Sequence, residues 1–464
     1  MSFTANLFIT VFLPVVFGFV FLFRKHIKRQ NVFLLISNIV FLLFGGVGGV
    51  LLLYLTCVVD YIVFKQIRKY EKAKLSNVFF VAGVVLNLIP LLLFKYTGFV
   101  IASVNSLFNI GIVIPQWSIP VGISFYTFQS VSLLADIKTK KISYQPKLFD
   151  VCFYLSFFTT TTSGPIVRFD SIHAQLNERN ITSEGINKGL TRFVTGLGKK
   201  VLLSNNLALF VEDVFSSVAD QNLSVATYWL GSIAFTLQLY LDFSGYSDMA
   251  IGIANVLGFN IPENFNYPYI AKSIGEFWRR WHISLSQWFR DYIYIPLGGN
   301  RVSVPKHIAN LLVVWCLTGI WHGANWTFIV WGLLYFVLLV FEKYCIKITA
   351  FVNNHFIGHI YTLFFVNLLW VFFRADSLSQ AMMFIYRMFG FGSEAVPVEI
   401  STIHIIPFII ISAVCCFPVA KVFSKYNEKP AFEIIKTALL CIIFIISIFT
   451  ISITSFTPFI YGAF

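Results

Sequence analysis

QNVFLLISNIVFLLFGGVGGVLLLYLTCVVDYIVF, residues 30–64, is nearly all apolar over 35 residues and is interrupted by Gly45, Gly46, Gly48 and Gly49. A helix that crosses the hydrocarbon core of a bilayer needs about 20 mostly apolar residues. The stretch therefore reads as two short crossings joined at the glycines. Arg29 precedes it and Lys65 follows it, so the hairpin returns the chain to the side on which it began.

The same grammar runs outward from this hairpin. Basic residues come in three patches: Arg24, Lys25, Lys28 and Arg29; then Lys65, Arg68, Lys69, Lys72 and Lys74; then Lys138, Lys140, Lys141 and Lys147. Between the second and third there is room for two more crossings, near residues 78–94 and 119–135. All three patches then share one side, which the excess of Lys and Arg in cytoplasmic loops makes the inside. Met1 is expected outside, with residues 1–23 as a retained first span. Further spans are expected near 201–215, 228–241, 308–320, 325–341, 357–373, 403–417 and 434–459. Residues 151–165 are too short and too rich in Thr for a span and read as a re-entrant or broken segment, while 168–200 reads as amphipathic surface. About ten to twelve crossings result, in a single all-α polytopic domain over residues 1–464 without an internal repeat.

Composition agrees. Of 464 residues 57% are hydrophobic and 12% charged, where soluble domains carry about a quarter charged; the mean hydropathy is +0.78. The net charge of +13 lies in the short patches between apolar runs, which argues for a membrane and against nucleic acid. Cys57, Cys152, Cys316, Cys345, Cys415, Cys416 and Cys441 have neither metal-ligand nor disulfide-framework spacing. They read as small buried hydrophobes, and no metal is expected.

Three stretches carry chemistry. IGEFWRRWHISLSQWFR, residues 274–290, puts Ile274, Phe277, Trp278, Trp281, Leu285, Trp288 and Phe289 on an arc of about 120° if helical. Glu276, Arg279, Arg280, Gln287 and Arg290 lie opposite, the pattern of a helix in the membrane interface. His282 falls at the edge of the aromatic arc. The run Trp321-His322-Gly323-Ala324-Asn325-Trp326 sits between two apolar stretches. Ionisable groups at membrane depth are rare, costly and functional by default, and an imidazole suits general-base work near neutral pH. Asn325 lies three residues on and could orient that imidazole if the run is helical. Third, Tyr240-Leu-Asp-Phe-Ser-Gly-Tyr-Ser-Asp248 places Asp242 and Asp248 in apolar surroundings. It reads either as a broken helix satisfying its own backbone or as the wall of a hydrated cavity. Asn264-Phe-Asn266-Tyr-Pro268 follows as a turn.

DFSGYSDMAIG (242–252), ENFNYPYI (263–270), EFWRRWHISLSQWFRDYIYIPLGGNR (276–301) and NLLVVWCLTGIWHGANWTFIVWG (310–332) occur in one order. In sequence and spacing this block resembles the membrane-bound O-acyltransferase family. IPVGISFYTFQSVSLLAD (119–136), SGPIVRF (163–169) and WVFFRADSLSQA (370–381) fit it too. The nearest branch acetylates exported polysaccharides such as alginate and peptidoglycan; the D-alanyl transfer protein of teichoic acid synthesis is a close relative. The Thr159–Thr162 run departs from the Pro-containing, more apolar pattern of the branch. The resemblance implies that His322 is the intramembrane catalytic histidine and His282 the second histidine. It implies a ring of helices with re-entrant or interfacial segments around a central funnel, and an extracytoplasmic acetyltransferase partner.

The expected reaction is acyl transfer, most simply of acetyl, from a cytoplasmic thioester such as acetyl-CoA to a hydroxyl. No permanently bound cofactor is expected. His322 would be the base, and Asn325, His282 or the indole of Trp321 or a neighbouring Trp would supply donors to the oxyanion. Arg279, Arg280 and Arg290 would attract an anionic donor or lipid headgroups. The setting is the bacterial cytoplasmic membrane, and the polysaccharide is reached indirectly. Rival readings are D-alanyl transfer and a proton-coupled transporter, which would be built of paired repeats.

Overall fold

The computed structural model describes residues 1–218, 223–345, 355–392, 403–419 and 429–454. The expected end of the last span, 455–459, lies outside the described residues. Every regular element among the described residues is helical. The chain divides into two compact units, Met1–Phe193 with Met249–Pro262, and Val194–Asp248 with Glu263–Phe464.

In the first unit α1 (Leu13–Leu22) is followed by α2 (Ile27–Leu43) and α3 (Val47–Lys69). The α2–α3 turn is the glycine hairpin, with Gly46 at φ +102°, a region in which only glycine rests without strain. α4 (Leu75–Leu91) and α5 (Thr97–Phe108) form one long rod joined by a π-helical turn over Leu92–Tyr96. α6 (Ile123–Lys138) then packs on α3 and α4. The second and third basic patches meet at one end of these helices. Arg68 donates to the carbonyls of Ile142 (2.6 Å) and Ser143 (3.0 Å), Lys138 to Ser76 Oγ (2.9 Å), and Lys140 pairs with Glu71.

α7 (Leu148–Ser156) ends three residues before the first threonine of the Thr159–Thr162 run. Phe157 to Thr161 are non-helical and buried, as expected for a broken segment. Side chains and local turns satisfy its backbone. Asn38 Oδ1 accepts from the Phe158 amide at 3.1 Å, and Thr161 Oγ1 donates to the carbonyls of Phe157 and Leu155. Irregular backbone survives at membrane depth only under such protection. α8 (Phe169–Asn177) and the amphipathic α9 (Ser183–Gly198) follow.

After a π-helical turn over Lys199–Ser204 come α10 (Asn205–Ser216) and α11 (Val225–Val256). Of the two readings of 240–248, the broken helix fails, because α11 runs unbroken through it. The carboxylates are met from the neighbouring turn instead: Asp242 pairs with Lys200 and Asp248 with Lys199 at 2.7 Å. In the second unit α12 (Ile274–Arg280), α13 (Ile283–Phe289) and a π-helical turn over Arg290–Tyr294 lead to α14 (Val304–His322) and α15 (Trp326–Tyr344). α16 (His355–Arg374), α17 (Leu378–Met388), α18 (Ile406–Cys415) and α19 (Pro430–Ile453) complete it.

Among the described residues six helices are long and apolar enough to cross a membrane: α3, the α4–α5 rod, α14, α15, α16 and α19. Phe8–Leu22 and α18 are apolar but shorter. The expected spans at 119–135 and 228–241 fall on α6 and α11, which are less apolar than these six helices. Both bury Ser, Thr, Gln and Asp side chains, so their mean hydropathy is lower than that of a helix facing lipid. The protein is thus an all-α polytopic membrane protein.

Candidate functional site

His322 is the last residue of α14 and is 1% exposed. Its imidazole is enclosed by rings: Trp321 at 5.0 Å, Trp331 of α15 at 5.0 Å and Phe373 of α16 at 5.2 Å, all steeply inclined to it. Trp331 continues the aromatic wall to Trp278 (5.6 Å) and to Trp370 (5.8 Å). Close packing of α14 on α15 holds His322 against Trp331. A Cβ on Gly332 would lie 2.5 Å from the Trp315 carbonyl oxygen, and one on Gly319 would lie 2.5 Å from that of Phe328. Only hydrogen fits at either place, and small residues are what let membrane helices approach so closely.

The stretch 274–290 is not one interfacial helix. It breaks at Trp281, which is extended, and at His282, which takes the left-handed conformation at φ 42°, ψ 55°. A non-glycine residue held there costs on the order of 1–3 kcal/mol, so the surroundings must enforce it. Asn264 does so from the loop after α11. Its carbonyl oxygen accepts from the Ile283 amide at 2.9 Å. Its side-chain Oδ1 accepts from Ser284 Oγ at 2.8 Å and from the Ser284 amide at 3.3 Å, and lies 3.0 Å from His282 Nδ1. Nδ2 donates to Ser247 Oγ at 3.2 Å.

A backbone amide can only donate, so the atom facing Ser284 N is the oxygen. His282 Nδ1 must therefore carry the hydrogen, which leaves Nε2 as the basic atom. The aromatic arc turns into the protein rather than into lipid, because the break swings Trp281 and His282 inward. Both are fully buried, with Phe243 at 4.7 Å from the imidazole. Burial pushes the His282 pKa down to about 3, which keeps the ring neutral. Trp321 lies between the two histidines, 5.9 Å from His282 and 5.0 Å from His322.

A cavity of about 420 Å³ is lined in part by Trp278, which packs on Trp331, while His282 and His322 are not among its lining residues. Arg279, Gln287 and Arg290 stand among its polar walls, and Trp278 and Trp315 among its aromatic ones. α14 contributes Leu311, Val314, Trp315 and Thr318, one stripe at helical spacing. His322 is the next position on that stripe, about 6 Å beyond Thr318 along the axis.

The remaining candidates take other places. Arg280 is tied back to Glu276 (2.9 Å) and to the Asn266 carbonyl (3.0 Å), away from the cavity lining. Arg290 also donates to Asp291 at 2.8 Å. Asn325 does not orient His322, because the helix ends at His322 and restarts at Trp326. Asn325 caps that restart, accepting from the Thr327 amide at 3.1 Å and donating to the Asp376 carbonyl at 2.9 Å. Asp242 and Asp248 are in their ion pairs. Among the described residues no group of three or more His, Cys, Asp or Glu side chains could hold a metal ion. Asn264, read from the sequence only as part of a turn, and Trp331, read only as part of a span, are the residues the pattern did not single out.

Comparison with known proteins bears on the same region. The model of the MBOAT, membrane-bound O-acyltransferase family, matches residues 33–385. The "Probable alginate O-acetylase AlgI" of Pseudomonas aeruginosa is 39% identical over 399 residues, covering 85% of this chain and 76% of that protein. The "Peptidoglycan O-acetyltransferase" of Helicobacter pylori is 34% identical over 421 residues, 84% of this chain and 80% of that protein. The "Teichoic acid D-alanyltransferase" of Bacillus subtilis is 27% identical over 346 residues, 69% of this chain and 83% of that protein.

Proposed function

Because the chain belongs to the membrane-bound O-acyltransferase family, we propose that it moves an acetyl group from a cytoplasmic thioester donor such as acetyl-CoA to a hydroxyl, for the O-acetylation of an exported cell-surface polysaccharide. It is an O-acyltransferase and a multi-pass membrane protein. The observation that carries the proposal is the placing of His322, buried in an aromatic enclosure at the end of the α14 stripe that lines the cavity.

A hydroxyl attacks a thioester poorly while it keeps its proton. The basic ring nitrogen of the His322 imidazole takes that proton as the oxygen adds to the carbonyl carbon. The C–S bond then breaks, and the imidazolium returns the proton to the departing thiolate. Packed indole and phenyl rings exclude water, which would otherwise take the acyl group. His282, held neutral with Nε2 free of hydrogen, sits across Trp321 to orient substrate or share the proton. Arg279 and Arg290 give the cavity mouth positive charge suited to the phosphates of a nucleotide-bearing thioester.

The membrane is the bacterial cytoplasmic membrane in this reading, with Met1 outside, and a separate extracytoplasmic acetyltransferase passes the group to the polymer. Relatives named for alginate and peptidoglycan support an acetyl group and a polysaccharide. The test is to give radiolabelled acetyl-CoA to membranes from a strain whose own protein is deleted and replaced by this one. Ester-linked label in exported polymer is the expected result. Label transferred only from a D-alanyl thioester carrier would replace acetyl by D-alanyl, and transfer from neither would overturn the proposal.

A further inference from the structure

His307, on the first turn of α14, is 2% exposed, and both ring nitrogens are engaged. Nε2 lies 2.7 Å from the Tyr294 hydroxyl, and Nδ1 lies 2.6 Å from the hydroxyl of Tyr344 at the end of α15. The Lys343 ammonium stands 3.4 Å from Nε2. An ammonium can only donate, so Nε2 is the accepting nitrogen and Nδ1 carries the hydrogen. The order of the relay follows: Tyr294 O–H donates to His307, and His307 donates to Tyr344. One turn further along α14, Asn310 donates to the carbonyls of Leu297 (3.3 Å) and Gly299 (3.1 Å). The segment from Arg290 to Gly299 is therefore clamped to α14 at two points.

That segment is a wall of the cavity. Tyr294 lines it, and so does Arg290, four residues earlier in the same π-helical turn. Extra-residue turns of this kind recur at functional sites because they re-aim side chains. Resting on the reading of the cavity as the donor site, we propose that His307 is a positioning residue for the acyl donor. Through Tyr294 it fixes the turn that carries Arg290, and so sets the shape and charge of the mouth without touching the reacting atoms. Nothing in the relay points to the acceptor hydroxyl, so its loss acts on donor binding and leaves the chemical step alone.

The test compares His307→Ala, Tyr294→Phe and Arg279→Ala in membranes, each normalised to protein abundance, by the acetyl-CoA concentration that half-saturates polymer acetylation and by the maximal rate. The expected result is that His307→Ala and Tyr294→Phe each raise half-saturation about tenfold with the maximal rate within about twofold of the parent. The double variant should be no worse than either alone, since both remove one interaction. Tyr294→Phe keeps the ring and its packing, so it decides the matter if His307→Ala lowers abundance. Unchanged half-saturation in Tyr294→Phe, with a rise in Arg279→Ala, would overturn the positioning role and leave the donor site standing. Unchanged half-saturation in all three would overturn both.

Discussion

His282 donates its Nδ1 hydrogen to the side-chain oxygen of Asn264 across 3.0 Å, and this bond fixes both the tautomer and the left-handed backbone of the histidine. The two residues are 18 apart in the chain and belong to different loops. Their pairing turns a stretch with interfacial-helix patterning into a buried corner.

Asn264→Ala should therefore lower activity about as much as His282→Ala does. Misplacing a reacting group by about 1 Å can cost about a hundredfold in rate. Loss of the Asn264 bond to Ser247 Oγ should lower stability by about 1–3 kcal/mol. The check is a double-mutant cycle on the transfer rate. Additive losses would mean that Asn264 does not act through His282.

How far the sequence carries the reader is clearest at such corners. The glycine hairpin at Gly46, the broken Thr159–Thr161 segment and the place of His322 at the end of an apolar helix were legible, because each follows from hydropathy or glycine. The break at Trp281–His282 was not. Its seven-residue flanks keep helical periodicity on both sides, and the bonds that enforce the break come from residues 247 and 264. The unbroken course of α11 was hidden for a related reason. Its Asp242 and Asp248 look like helix breakers in apolar surroundings until Lys200 and Lys199 are seen to face them.

Asp242→Ala should be among the most destabilising single changes in the second unit. Both partners of the Asp242–Lys200 pair are buried, and removing one strands a charge at a cost of about 3–5 kcal/mol. Replacing both, as Asp242→Leu with Lys200→Met, should recover most of the loss. Thermal unfolding in detergent measures it. A double variant as unstable as Asp242→Ala would show that the pair does more than neutralise itself.

Gly332→Ala adds one carbon where the Trp315 carbonyl already stands. Overpacking of this kind costs about 1–3 kcal/mol, and here it must part α14 from α15 and shift Trp331 away from His322. Activity per folded molecule should fall more than abundance does. Parent-like activity would mean that the position of His322 tolerates movement of the hairpin.

The three basic patches are expected to lie in the cytoplasm. Cysteines placed at Lys28, Lys72 and Lys140, all exposed, should resist a membrane-impermeant thiol reagent added to intact cells and react once the cells are opened. Labelling of any one in intact cells would invert or break the topology.

The central claim is that the buried imidazole of His322 is the base. In a strain lacking its own protein, His322→Ala should insert at normal abundance, because the cavity it leaves costs only a few kcal/mol. Acetylation of the exported glycan, measured per unit of protein in the membrane, should fall by at least about 10²–10⁴-fold. Normal acetylation by His322→Ala would contradict the account and return the proton-relay transporter to consideration.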